Sequence, residues 1–165
     1  MESKTALKNS GFTLIELLVS LLVISILVSL GYANFRKYAQ KQALWAVARQ
    51  IEGDLRLAQS YAMSGKDASS CSSSGYLYGY QFVKDGPSSY KIRCVCSDGS
   101  YCNPISRSIS DNFEIYGIFS PVTFKAVTGG VDSATSINIR RISTTSPYIL
   151  VNVSLTGAIS LSYNE

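Results

Sequence analysis

The sequence predicts an α+β fold in which one long N-terminal helix packs on an antiparallel β-sheet head. Three observations predict it. No residue from Leu17 to Phe35 carries a charge, so a helix of apolar side chains opens the chain. Beyond it, Leu44, Val47, Ile51, Leu55, Ala58 and Ala62 recur at steps of three or four, the period of one helical face. The remainder breaks into short Tyr-, Val- and Ile-rich runs separated by Ser and Gly clusters, the pattern of strands and turns.

Composition narrows the functional classes. In 165 residues, 46% are hydrophobic and 16% charged, a mixture that suits a small head joined to one apolar segment. The net charge of +4 falls only to +3 if Glu2, Lys4 and Lys8 are removed, too little to argue for nucleic acid by itself. The chain has no histidine, which excludes His-based triads, His-ligated metals and imidazole acid–base catalysis. No Gly-rich phosphate loop, acid pair or nucleophile–base set is legible, so neither an enzyme nor a cofactor is expected.

The first eleven residues are short, polar and basic. The apolar stretch behind them has three readings. A secretory signal peptide would use Lys4 and Lys8 as its basic region and Gly31-Tyr32-Ala33 as its cleavage site. Such a peptide has no reason to contain Glu16. A plain membrane anchor must also explain Glu16, because an acid in the bilayer costs several kcal/mol on most scales. Arg36, Lys37 and Lys41 beyond the segment weaken a simple positive-inside argument as well.

The third reading follows from Gly11-Phe12-Thr13-Leu14-Ile15-Glu16, which resembles the class III signal of type IV pilins and type II secretion pseudopilins. The resemblance implies cleavage after Gly11 by a prepilin peptidase and N-methylation of Phe12. It makes Glu16 the fifth mature residue, an assembly carboxylate that meets the amine of a neighbouring subunit. A buried acid is tolerable where a buried cation meets it, and a stack of identical helices supplies one. This reading accounts for Glu16, and the other two do not.

The expected organisation is a leader over 1–11, an apolar membrane and filament-core half of the helix over 12–35, and an extracytoplasmic head over 36–165. Within the head, residues 36–64 form the amphipathic half of the helix and residues 65–165 the β-rich part. The helix is expected to end at Ser64 with Gly65 as its cap. Its apolar stripe is read as the surface on which the sheet packs, with Arg49, Gln50, Glu52, Arg56 and Gln59 largely on the other side. Strands are expected over 76–83, 90–96, 113–119, 122–127, 136–142, 148–155 and 158–163. Asp85-Gly86-Pro87 makes the first turn and Thr156-Gly157 the last.

The order of these pieces resembles the GspH/FimT branch of the pilin superfamily. The carriers are the helix segment from Ala48 through Asp54-Leu55-Arg56-Leu57-Ala58 to Ala62, and the closing pattern of Phe124, Gly129-Gly130 and Gly157. The resemblance implies a minor pilin or pseudopilin, localised first in the cytoplasmic membrane and then in a filament. Its implied partners are other pilins, the prepilin peptidase and an inner-membrane assembly platform. In FimT-type relatives that take up DNA, a basic cluster follows the last glycine. Here Ala158-Ile159-Ser160 stands in its place. A DNA role would have to draw on Arg140 and Arg141, with Lys91, Arg93 and Arg107. The first two point to opposite faces of one strand, which makes a poor phosphate track.

Cys71, Cys94, Cys96 and Cys102 lack the paired C-x2-C spacing of thiolate zinc sites, and an exported head is oxidised, so disulfides are expected and no metal. Cys94 and Cys96 share a strand face. Three connectivities are open. The short loop between Cys96 and Cys102 favours that pair, with Cys71–Cys94 as the other.

Overall fold

A computed structural model describes residues 13–71, 75–117, 120–142, 144–145 and 147–164, without the side chains of residues 30–34. The chain forms two compact units, Met1–Gln40 and Lys41–Glu165. Helix α1, Leu14–Ser64, starts in the first. Thr13 is its N-cap: the Glu16 N–H donates to Thr13 Oγ1 at 3.3 Å, and the Leu17 N–H to the Thr13 carbonyl at 3.2 Å. Three serines in the apolar stretch satisfy their hydroxyls on the helix itself. Ser20, Ser25 and Ser29 donate to the carbonyls of Leu17, Leu21 and Ile26 at 2.7–2.9 Å, so each polar group is covered by the backbone.

In the second unit the expected stripe is the core face of the helix. Leu44, Val47, Ala48, Ile51, Leu55, Ala58 and Ala62 are all buried. The helix stops as its glycine requires. Gly65 takes φ +65°, its N–H donates to Ala62, and the Lys66 N–H reaches back to Tyr61, the two bonds of a Schellman cap. A short 3-10 turn, Ala68–Cys71, then delivers Cys71 to the core.

Among the described residues eight strands follow: β1 Leu77–Lys84, β2 Ser89–Cys96, β3 Tyr101–Ser108, β4 Phe113–Tyr116, β5 Val122–Lys125, β6 Thr135–Arg141, β7 Tyr148–Val153 and β8 Ile159–Asn164. They form two four-stranded antiparallel sheets, in the orders β3-β2-β1-β5 and β4-β6-β7-β8, where a single sheet was expected. The long helical stripe is the reason two can be accommodated: both inner faces contribute to one apolar cluster with it. Tyr80, Phe82, Tyr90, Ile92 and Phe124 come from the first sheet, and Ile115, Ile137, Ile139, Ile149 and Val151 from the second. Burial alternates strictly along β2 and β7, as half-buried strands demand. This is the α+β architecture of a type IV pilin fold, an N-terminal helix on antiparallel sheets.

Strand β3 was not expected, and its composition explains why. It is an edge strand with no buried residue, so it shows no apolar alternation. Its Pro104 would break an inner strand but is tolerated at an edge. The β2–β3 register runs from Ile92↔Ile105 to Cys94↔Cys102, so the extra residue makes a bulge around Asn103, whose φ is +41°. The strand expected over 113–119 stops at Tyr116, before Gly117 at φ +84°; residues 118–119 lie outside the described residues.

The two sheets are tied at both ends. At one, the Ile115 N–H donates to the Pro87 carbonyl at 2.7 Å and Ser88 Oγ to the Phe113 carbonyl at 2.7 Å. At the other, the Val131 N–H donates to the Leu155 carbonyl at 3.0 Å. Between these turns lies Gln59, and its Nε2 donates to the Gly129 carbonyl at 2.9 Å and the Gly157 carbonyl at 3.0 Å. A Cβ on Gly157 would collide with Gly129's carbonyl and with Gln59, and Gly157 sits at φ +81°. The glycines of the closing pattern are therefore spacing residues at the junction of the sheets.

Candidate assembly segment and the stapled head

The N-terminal segment is built from the backbone outward. Thr13 and Glu16 stand in the Thr-x-x-Glu spacing of a capping box, which sets Glu16 in the first turn, where the helix dipole favours a negative charge. Around it Leu14, Ile15, Leu17, Leu18, Val19, Leu21, Leu22, Val23, Ile24, Ile26, Leu27 and Val28 are all exposed, so apolar side chains surround the helix rather than line one face. Glu16 is the one carboxylate among these side chains. Gly11 and Phe12, the expected processing residues, and the leader over 1–11 lie outside the described residues.

Residues 7–32 match the family model of the prokaryotic N-terminal methylation motif. The motif is typical of type IV pilin-like proteins, and it contains Gly11, Phe12, Thr13 and Glu16. No curated protein and no solved structure matches the chain. Among the described residues no helix is long and apolar enough to cross a membrane.

In the head, the cysteines form disulfides, but not in the pairing that loop length favoured. The bonds are Cys71–Cys96 and Cys94–Cys102, with Cα separations of 5.6 and 5.0 Å. The unexpected strand β3 is the cause. It places Cys102 directly opposite Cys94, which leaves Cys96 at the strand end for Cys71. Cys94 and Cys96 do share the inner face of β2, as their spacing requires. The sulfurs of Cys71, Cys96 and Cys102 lie within 4.8 Å of one another. A metal would need them as thiolates, and here they are oxidised.

The basic candidates are dispersed. Arg140 is half-buried on the outer face of β6, with its Nε donating to Glu114 at 2.7 Å and its guanidinium 3.4 Å from the centre of the Tyr116 ring. Arg141 is exposed at the end of the same strand, in the opposite phase. Lys91 pairs with Asp85 at 2.7 Å, Arg93 bonds Gln81 and stacks on Tyr101, and Arg107 approaches Asp54 at 4.0 Å. The structure does not bring these cations into one track.

Sequence reading missed the polar contacts on the flanks of the helix stripe. Gln50 Nε2 donates to the Ser108 carbonyl of β3 at 3.0 Å, and Asp54 accepts the Tyr90 hydroxyl at 2.5 Å. The Tyr80 hydroxyl donates likewise to Asp67 at 2.5 Å. Burial first, and these hydrogen bonds second, push both phenols well above their ordinary range. The available signal was position: residues 50, 54 and 59 border the stripe, within reach of the strands and turns that pack on it.

Proposed function

We infer that this chain is a non-catalytic minor pilin or pseudopilin that assembles into, primes or caps a filament through its N-terminal helix. The observation that carries the reading is the methylation motif over residues 7–32 together with a capped helix start that holds Glu16 in a sleeve of exposed apolar side chains. Cleavage after Gly11 by a prepilin peptidase exposes the Phe12 amine. Before assembly the apolar half, continued in sequence to Phe35, resides in the cytoplasmic membrane with the head outside. On assembly it moves from lipid into a bundle of like helices, on an inner-membrane platform, and Glu16 meets the Phe12 amine of a neighbouring pilin. The GspH/FimT resemblance favours a low-abundance initiating or tip subunit. The disulfides support an oxidising, extracytoplasmic location for the head. DNA uptake is not favoured: Arg140 is already engaged by Glu114 and Tyr116, and no basic residue follows Gly157.

Peptide mass spectrometry of sheared filaments, beside the membrane fraction, tests the reading. A peptide beginning at N-methylated Phe12 in the filaments is the result expected of a minor pilin. The same peptide confined to the membrane with secretion components identifies a pseudopilin. A chain still starting at Met1, or starting after Ala33, refutes both. Glu16→Gln should be processed normally yet fall at least tenfold in filaments; equal incorporation would refute the charge role.

A further inference from the structure

The outer face of the second sheet carries a cavity of about 420 Å³ lined by Tyr116, Asn138, Arg140, Thr145, Tyr148 and Leu150. That volume lies within the roughly 300–1,000 Å³ of small-molecule sites. The lining is set by register. Tyr116 pairs with Asn138 and Asn138 with Leu150 across β4, β6 and β7, and Arg140 pairs with Tyr148 in the next row. Two side chains in it are distinctive. Asn138 Oδ1 is buried and, among the described residues, has no hydrogen-bond partner. A buried polar atom is costly when left unpaired, so its presence asks for a donor. Arg140 is fixed from two sides, by Glu114 and by the face of Tyr116.

Charge decides what kind of donor. Glu114 neutralises Arg140, and the other five lining side chains carry no charge, so the cavity has no surplus attraction for phosphate or carboxylate. What remains is a set of fixed polar groups beside tyrosine rings and a leucine. A saccharide has this complementarity: its hydroxyls both donate and accept, and its C–H faces pack on aromatic rings. We propose that the cavity on the β4-β6-β7 face binds a neutral saccharide, with a sugar hydroxyl donating to Asn138 Oδ1, Arg140 donating to a second hydroxyl, and the ring lying against Tyr148. The site lies wholly within the second unit, so its failure leaves the filament reading, which rests on residues 7–32, untouched.

The test uses the full chain in a zwitterionic detergent, since alkyl glycosides would compete. An array of neutral and acidic saccharides is screened, and the best binder is titrated by calorimetry at low and high salt beside a single-stranded oligonucleotide. The expected result is selective binding of a neutral saccharide whose affinity changes less than twofold between about 50 and 300 mM salt. Asn138→Leu should weaken it at least tenfold while leaving Tm unchanged or higher, because an unpaired polar atom has been removed. Thr145→Trp, which fills the cavity from an exposed loop position, should do the same, and Arg93→Gln on the other sheet should change nothing. No saccharide preferring the wild type over both cavity variants would overturn the proposal. So would binding confined to acidic saccharides or the oligonucleotide, or a lowered Tm in Asn138→Leu, which would make the amide structural.

Discussion

Gln59 is the residue through which the helix holds both sheets, and its removal has a definite expected cost. Its amide has two N–H donors, and both are used, one on the Gly129 carbonyl of the β5–β6 loop and one on the Gly157 carbonyl of the β7–β8 turn. Each partly buried bond contributes about 1 kcal/mol net. Gln59→Leu keeps most of the volume and removes both donors, so it should cost about 2 kcal/mol. For a head of this size that lowers Tm by roughly 8 °C. Gln59→Glu should be worse, because it sets a carboxylate against two carbonyl oxygens with nothing to donate. Thermal unfolding of the full chain, followed by near-UV circular dichroism at neutral pH, gives the order Gln, then Leu, then Glu. A fall of less than about 2 °C for Leu, or a Glu variant as stable as the Leu variant, would refute the idea that these bonds join the sheets.

The remaining predictions concern the disulfides, the buried phenols and one close strand approach. Non-reducing peptide mapping should recover Cys71–Cys96 and Cys94–Cys102, and the Cys71→Ser/Cys96→Ser pair should lose more stability than the other pair. The closed loops of 25 and 8 residues correspond to about 3.5 and 2.5 kcal/mol of chain entropy. Tyr80 and Tyr90 have folded pKa values above their unfolded ones, so their contribution is complete below pH 10 and is lost as pH rises through the folded values. Absorbance titration at 295 nm should therefore show both among the 11 tyrosines ionising only when the head unfolds, and Tyr90→Phe should remove one of the late group. Gly79→Ala should destabilise the head strongly, since a Cβ there runs into the Phe124 backbone carbonyl where β1 and β5 meet. Equal Tm for that variant would mean the strands separate at no cost.

The parts of the fold legible in the sequence are those where one physical period dominates. The stripe from Leu44 to Ala62 has helical spacing, and all of it is buried. Gly65 could be placed because a left-handed cap is the position where glycine is favoured. Val151 and Val153 alternate because one face of β7 meets the core and the other does not. Strand β3 was illegible because an edge strand without a buried side chain has no period, and its Pro104 is uncommon inside strands. That omission misdirected the cysteine pairing, since only β3 sets Cys102 opposite Cys94. The division into two sheets was illegible for a similar reason: alternation tells which side of a strand is inside and nothing about which strand lies beside it. Asn138 and Tyr148 fall in the half-buried outer phase of β6 and β7, and only register brings them around one cavity.

Glu16 shows how far local structure accounts for a charge in an apolar segment. Its place in the first turn, behind the Thr13 cap, lets the helix dipole stabilise the carboxylate by about 0.3–1 kcal/mol. Setting a carboxylate among apolar neighbours costs about 2.5–3.5 kcal/mol on insertion scales. The cap therefore leaves a deficit of roughly 2 kcal/mol, which the chain's own backbone does not supply. The compensating charge must come from outside this helix, and the first requirement is that it be present only when the helix is among its own kind. Under the proposed processing, a free methylated amine at Phe12 would meet that requirement in a filament, because methylation would keep it basic and cleavage would free it. On this argument Glu16→Ala should be tolerated in the isolated chain, where it removes only the dipole term, and be costly in assembly. Fold and insertion would then survive the substitution while filament incorporation fails, and a variant that lost all three together would show Glu16 to be structural instead.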